Sequence, residues 1–301
     1  MHFEETSAPP ALEWCMDALP KQKWWTGGQY SLWRVAVGLS LLTFLLGQMP
    51  DAFAALGALA AVLVVIGWRD RLAAVLLWLI LAWMPGAPLA GWLLILHALL
   101  PAAPYGSLAA VGRVDPRGAW HLPAPLWWAT WLTLAGIYAY SAYCKVLFFV
   151  PELVLLHLLA LNPRWLRSLQ TEPGRVFYDG ECGLCHRAVR FVLAEDVGEA
   201  WILAPLQSEA FAQLGLAESA IPDSIGVQVG ERLLWRSSAV VLLLWRIGGY
   251  WRLVATALWC VPKPLRDLGY ACVARVRLRF FARPSGLCPI MPRDLQSRFE
   301  M

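Results

Sequence analysis

The chain has 301 residues, is 59% hydrophobic with 18 tryptophans, and carries a formal net charge of +4. Soluble domains average about 45–50% apolar residues, so this composition excludes an ordinary fully soluble protein and implies a membrane-embedded portion. The charges are unevenly divided: residues 1–171 hold 10 Lys/Arg and 8 Asp/Glu, whereas residues 172–301 hold 15 and 13. At the division, Thr171-Glu172-Pro173-Gly174 is a polar stretch ending in two strong breakers. A helical transmembrane domain over 1–171 and a globular domain over 172–301, of ordinary single-domain size, are therefore predicted.

In chain order, the first 22 residues are polar, with Glu4, Glu5, Glu13 and Asp17, and lack the apolar core of a signal peptide. Apolar runs follow at 32–49, 52–68, 72–84, 89–100, 125–144 and 146–161. A span needs roughly 20 residues. The short runs at 72–84 and 89–100, joined by Pro85-Gly86-Ala87-Pro88, thus read either as two thin spans or as one re-entrant hairpin, giving a bundle of four to six spans. Arg34 is expected to snorkel to the headgroups, and Trp24, Trp25 and Trp33 to form an interfacial belt.

Lys21 and Lys23, Arg69 and Arg71, Arg113 and Arg117, and Arg164 and Arg167 alternate with loops around Asp51 and 85–88 that have no Lys or Arg; Lys145 is the exception. The positive-inside rule then places the N-terminus and the second domain on the cytoplasmic side of a multi-pass inner-membrane protein. His97, His157, Lys145 and Glu152 are the ionisable groups weighed at membrane depth. Lys145 and Glu152 flank Pro151 and either pair across that turn or are solvated at the headgroups. His97 and His157 are either axial haem ligands or neutral, hydrogen-bonded members of the bundle.

Tyr138-Ala139-Tyr140-Ser141-Ala142-Tyr143-Cys144-Lys145 and Leu161-Asn162-Pro163-Arg164-Trp165-Leu166 resemble segments of the HTTM membrane family, bacterial relatives of the vitamin K-dependent γ-carboxylase. The resemblance implies a bacterial membrane domain in which a Tyr/Ser-rich helix ends in a lysine. It also opens a reading in which the membrane domain is the enzyme and a dithiol is its reductant, with a membrane quinone as electron partner.

In the second half the periodicity shifts to short elements. Residues 175–179 and 201–204 read as strands, 182–194 and 208–214 as helices, and 224–229 with 232–235 as a hairpin around Gly230-Glu231. Ser237 or Ser238 is expected to cap a helix ended by Gly248-Gly249, the apolar stretch 240–261 to form a bent pair of core helices, and Pro264 to open a last helix. The order β-α-β-α-β-β-α is that of a thioredoxin-like α/β core.

Tyr178-Asp179-Gly180-Glu181-Cys182-Gly183-Leu184-Cys185 puts a Cys-x-x-Cys at the first strand-to-helix junction. A helix start favours thiolate over thiol through its unpaired N–H groups and dipole. Cys182 is then the attacking thiolate and Cys185, one turn in, resolves the mixed disulfide. Asp179 either relays a proton at the buried sulfur or shapes the loop through an Asx turn. Gly180 supplies a backbone angle or close approach that a Cβ would forbid. His186 either tunes the Cys182 thiolate or is a surface residue. Pro222 precedes a strand where such folds place a cis-proline facing the dithiol; a plain trans loop proline is the other reading.

Asp179, Cys182 and Cys185 also match the signature for which the DCC thiol–disulfide oxidoreductase family is named. Ala204-Pro205-Leu206-Gln207-Ser208, Arg236-Ser237-Ser238-Ala239, Gly248-Gly249, Pro262-Lys263-Pro264-Leu265-Arg266-Asp267, Tyr270, Ala274-Arg275-Val276-Arg277 and Cys288-Pro289 follow in order. Over about 174–291 the chain resembles this family. The resemblance implies a thioredoxin-like redox domain with a redox-active disulfide and no further cofactor, acting on a protein or small-molecule dithiol or disulfide.

Two rivals use the same cysteines. Cys182-x-x-Cys185-His186 is also a c-type haem attachment pattern, which requires an oxidising compartment at odds with the charge bias. Two cysteines are half a zinc set, and Cys260, Cys272 and Cys288 supply no second Cys-x-x-Cys, so no metal is assigned; a metal carrier would need Cys288 to join in space. Cys15, Cys144, Cys260 and Cys272 are expected to be buried apolar residues. Arg266, Arg275, Arg277, Arg279 and Arg283 make the last helix basic, either as a solvated face or against anionic lipid; nothing favours nucleic acid.

Overall fold

The computed structural model describes residues 21–22, 25–48, 52–83, 88–118, 120–144, 151–166, 172–180, 183–216, 222, 224–280, 295 and 297–300. The chain divides into two units. The first reaches to Val111 and resumes over Ala119–Leu161; the second takes Gly112–Gly118 and everything from Asn162 onward.

The apolar runs of the first unit are helices α1 (Gly27–Leu46), α2 (Ala52–Ile66), α3 (Asp70–Ala82), α4 (Pro88–Leu99), α5 (Ala124–Cys144) and α6 (Pro151–Ala160). Thr26 caps α1 by accepting from the Gln29 N–H. Successive helices α1 to α4 pack on one another, and α6 returns to α1 and α4. A two-residue pair, β1 (Lys21–Gln22) with β2 (Leu122–Pro123), precedes α5. Among the described helices, α1 alone is both long and apolar enough to cross a membrane; α2, α6 and Leu89–Leu99 are apolar but shorter. The expected four to six spans thus reduce to one helix that meets the criterion. With 21 residues α5 has the length, but its tyrosines, tryptophans and hydroxyl residues lower its hydropathy. Outward-facing Leu39, Phe53, Leu59, Leu72 and Leu132 are exposed.

The interior of this unit holds charge. Arg34 does not snorkel: it is fully buried, and its guanidinium donates to the carbonyls of Val64, Val65 and Gly106. Its Nε lies 3.9 Å from Asp70 Oδ2, and His97 Nε2 lies 3.7 Å from the same oxygen. His97 Nδ1 pairs with the Tyr30 hydroxyl, and Trp120 stacks on the Tyr30 ring at 4.9 Å between centroids. Helices α1, α3 and α4 are thereby joined through one polar group of Tyr30, Arg34, Asp70 and His97. Gly67, at φ +70°, makes this possible, because a Cβ there would lie 2.6 Å from Arg34 Nη1 and 2.5 Å from the Ser107 Cβ. Trp25 and Trp33 are also buried rather than interfacial, with the Trp33 indole donating to the Leu155 carbonyl; Trp24 lies outside the described residues. A buried indole N–H requires an internal acceptor, and the return of α6 against α1 provides it.

The second unit is built on a four-stranded sheet, β3 (Gly174–Tyr178), β4 (Trp201–Pro205), β5 (Gly226–Val229) and β6 (Arg232–Trp235), in the order β4-β3-β5-β6. β3 runs parallel to β4, in register from Gly174↔Trp201 to Tyr178↔Pro205, and antiparallel to β5. The β5–β6 hairpin turns at Gly230-Glu231, with Gly230 at φ +57°. Helices α7 (Gly183–Glu195), α8 (Glu209–Ala212), α9 (Arg236–Ile247), α10 (Tyr250–Cys260) and α11 (Lys263–Phe280) complete it. This is the expected β-α-β-α-β-β-α order, and a bent pair, α9 and α10, replaces any span over 240–261. Alternation along β3 splits the core: Val176 and Tyr178 join α7, α9 and Tyr270 of α11 on one face, and Phe177 joins Phe211 of α8 on the other. Gly174 allows the Trp201 ring to lie over it; a Cβ would come within 2.2 Å of that ring.

Two side-chain groups close the unit. Arg298 donates to Asp196 Oδ2 (2.5 Å) and to the Trp201 carbonyl (2.7 Å), while Phe299 bridges to Leu203 and covers the β4 edge. Ser237 does not cap α9, which begins directly from β6 at Arg236, with Trp235 as cap residue and no side-chain cap bond. Its hydroxyl instead donates to Asp267 Oδ1 on α11, and Lys263 holds the other carboxylate oxygen at 2.8 Å.

Two outcomes follow for stability. Replacing Arg34 by alanine leaves Asp70 buried without its partner and is expected to cost about 3–5 kcal/mol in detergent unfolding, part of which a further Asp70→Asn change restores. The Lys263 and Ser237 bonds hold the Asp267 carboxyl below its ordinary value of 3.8. A depressed folded pKa stabilises above the unfolded value and loses that contribution as pH falls through the folded one. The gap in urea midpoint between wild type and Asp267→Asn is therefore expected at neutral pH and should shrink below pH 3.8.

Candidate functional site

The site grows from the end of β3. Tyr178 is the last strand residue; its carbonyl accepts from Leu206 N–H at 2.9 Å, tying the exits of the two parallel strands together. Asp179 follows half-buried and Gly180 buried, and α7 begins at Gly183. Glu181 and Cys182 lie outside the described residues. Cys185, the third residue of α7, is 9% exposed and belongs to the core group with Tyr178, Val189, Ile225 and Val227. Its place in the first turn sets it among N–H groups that have no partner within the helix, at the positive end of the helix dipole.

His186 is half-buried, and its Nε2 lies 2.8 Å from the Gly180 carbonyl. A carbonyl only accepts, so Nε2 carries the proton and closes the turn between β3 and α7. That nitrogen is thus engaged by the backbone. The ring meets Tyr178 edge-on, 6.3 Å between centroids. Pro222 is half-buried, and its carbonyl accepts from Ser224 N–H at 2.7 Å. Next to it, the Ile225 N–H donates to the Tyr270 hydroxyl at 3.0 Å. Ile225 and Tyr270 share the core group of Cys185, so Tyr270 of α11 anchors the segment entering β5 against the dithiol helix. In the sequence Tyr270 stands out only as a piece of the family pattern; nothing local assigns it this bond.

The other singled-out groups lie elsewhere. Among the described residues no three His, Cys, Asp or Glu gather as a metal site. Both ring nitrogens of His157 are engaged, Nδ1 with the Leu153 carbonyl and Nε2 with the Tyr138 hydroxyl. His97 pairs through Nδ1 with the Tyr30 hydroxyl, so both histidines make contacts of the kind the hydrogen-bonded alternative expects. Glu152 is half-buried in the first turn of α6, and Lys145 lies outside the described residues. Cys260 and Cys272 are exposed rather than buried and Cys144 is half-buried; Cys15 and Cys288 lie outside the described residues. The outward faces of α10 and α11 explain the two exposed thiols, since both helices turn apolar residues away from the core.

Comparison with known proteins bears on the second half. A sequence model of the DCC1-like thiol-disulfide oxidoreductases matches residues 176–283. The uncharacterized protein YuxK of Bacillus subtilis is 31% identical over 132 residues, 42% of this chain and 94% of its own length. A chloroplastic DCC family protein of Arabidopsis thaliana is 32% identical over 111 residues, 36% of this chain and 64% of that protein. No solved structure matches the chain. The matching family stops short of the first unit, so the resemblance of that unit to HTTM proteins gains no support. The family relation supports a redox function: through residues 176–283, the chain belongs to the DCC1-like thiol-disulfide oxidoreductase family.

Proposed function

We propose that the protein is a membrane-anchored thiol–disulfide oxidoreductase whose second unit exchanges disulfides through Cys182 and Cys185 on the cytoplasmic face. The observation that carries this reading is the burial of Cys185 in the first turn of α7, directly behind β3. A resolving thiol belongs there: shielded from bulk oxidants, yet one helical turn from its partner at the helix start. In the step itself, the Cys182 thiolate attacks one sulfur of a partner disulfide, forming a mixed disulfide and releasing the partner's other thiolate. Cys185, as thiolate, then attacks the Cys182 sulfur and releases the second partner thiol. The chain ends with one disulfide, and the partner gains two electrons and two protons.

Asp179, at the mouth of the strand, is proposed to take the Cys185 proton, and Pro222 to border the partner's chain. Anchoring is supported by the apolarity of α1 and by the exposed leucines and phenylalanine around α1, α2, α3 and α5, because a patch of that extent is covered by lipid or a partner. The cytoplasmic orientation rests on the positive-inside distribution alone.

The trapping variant tests the chemistry. Cys185→Ser is expected to hold a mixed disulfide with oxidised glutathione, seen as one added glutathione in the intact mass and reversed by reductant. Cys182→Ser is expected to form none. A Cys185→Ser protein that never forms the adduct contradicts the proposal.

A further inference from the structure

Helices α10 and α11 each leave apolar residues exposed. On α10 the exposed residues Leu253, Thr256, Ala257, Trp259 and Cys260 contain no charge, although an outward helix face in water is ordinarily polar. On α11, Leu265, Leu268, Gly269, Cys272 and Val273 are likewise exposed, at helical spacing. Leu265, Leu268 and Val273 are each more than half exposed, and Trp259 is 69% exposed. The described charges on the two helices are mostly of one sign: Arg252, Lys263, Arg266 and Arg275 stand against a single acid, Asp267. That acid is held by Lys263 and Ser237.

We infer that this face lies on a membrane surface containing anionic lipid, with Trp259, Leu265, Leu268 and Val273 at the acyl boundary and the arginines among the headgroups. Apolar and aromatic side chains bordered by bases are what an interfacial helix requires. A second copy of the chain is disfavoured by the same charges, since a two-fold contact sets each patch against itself and brings bases against bases. The inference deepens the proposed anchoring and rests on it. It also gives α11 a double role: its inner face anchors Ile225 through Tyr270 beside the dithiol helix, while its outer face meets lipid.

The test uses the full chain in vesicles, with every cysteine except Cys272 replaced by serine and an environment-sensitive fluorophore on that thiol. A control places the only thiol at the exposed hairpin tip through Glu231→Cys. In phosphatidylglycerol-containing vesicles, lipids spin-labelled near the headgroup are expected to quench the Cys272 label roughly twofold or more above the control. Arg275→Glu and Leu268→Gln/Val273→Gln should each reduce that excess, and pure phosphatidylcholine should weaken it. Equal quenching at both positions overturns the inference, as does a Cys272–Cys272 crosslink without lipid quenching. Alkaline carbonate extraction on the same vesicles reports the anchoring of the first unit separately. Release of the chain sinks that anchoring, while lipid contact of the label still decides the surface.

Discussion

The parallel pairing of Gly174–Tyr178 with Trp201–Pro205 is the constraint on which the second unit depends. Parallel neighbours need a crossover, and in this chain the crossover is α7. Because β3 is central and buried, the chain must leave it at once and begin a helix. Whatever stands at that junction is then held at a helix N-terminus at the carboxyl end of the sheet. Cys185 stands there, in the first turn of α7. The Leu206 bond to the Tyr178 carbonyl fixes one side of the junction, and His186 closes the other through Gly180. Farther off, Arg298 and Asp196 hold the end of the chain against β4, so the edge strand of the parallel pair is covered.

Much of this was legible because it is written in local patterns. The strands, the two-residue turn at Gly230-Glu231, the break at Gly248-Gly249 and the helices α7, α9 and α11 follow from period, breakers and turn residues, and they appear within a few residues of expectation. What was missed depends on partners far along the chain. Arg34 beside an apolar run reads as a snorkelling residue until Asp70 and His97 are brought to it from other helices. Ser237 before an apolar run reads as a cap, but its hydroxyl is taken by Asp267, 30 residues on. The bridge from Phe299 to Leu203 and the bond from Ile225 to Tyr270 leave no trace in periodicity. Cys260 and Cys272 read as buried because apolarity normally means burial, and here it marks an outward face.

The two units pose opposite problems of solvation. In the first, apolar side chains turn outward and charge is gathered within, at the Tyr30, Arg34, Asp70 and His97 group, where removing one partner is costly because the rest cannot be rehydrated. In the second, an ordinary apolar core is covered by helices, and α10 and α11 are where exposed apolar residues recur at helical spacing. On the proposed reading, such a face sets the redox domain to work at a membrane surface, and the α7 junction carries its chemistry.

The most direct test of that chemistry is an equilibrium titration of the purified full chain against reduced and oxidised glutathione, counting thiols at each step and recording bound metal and haem. The account predicts a single two-electron transition, with two thiols lost together, that disappears in both Cys182→Ser and Cys185→Ser. No transition across the glutathione range, accompanied by stoichiometric metal or covalent haem that is lost with either cysteine, would contradict it and make the second unit a carrier.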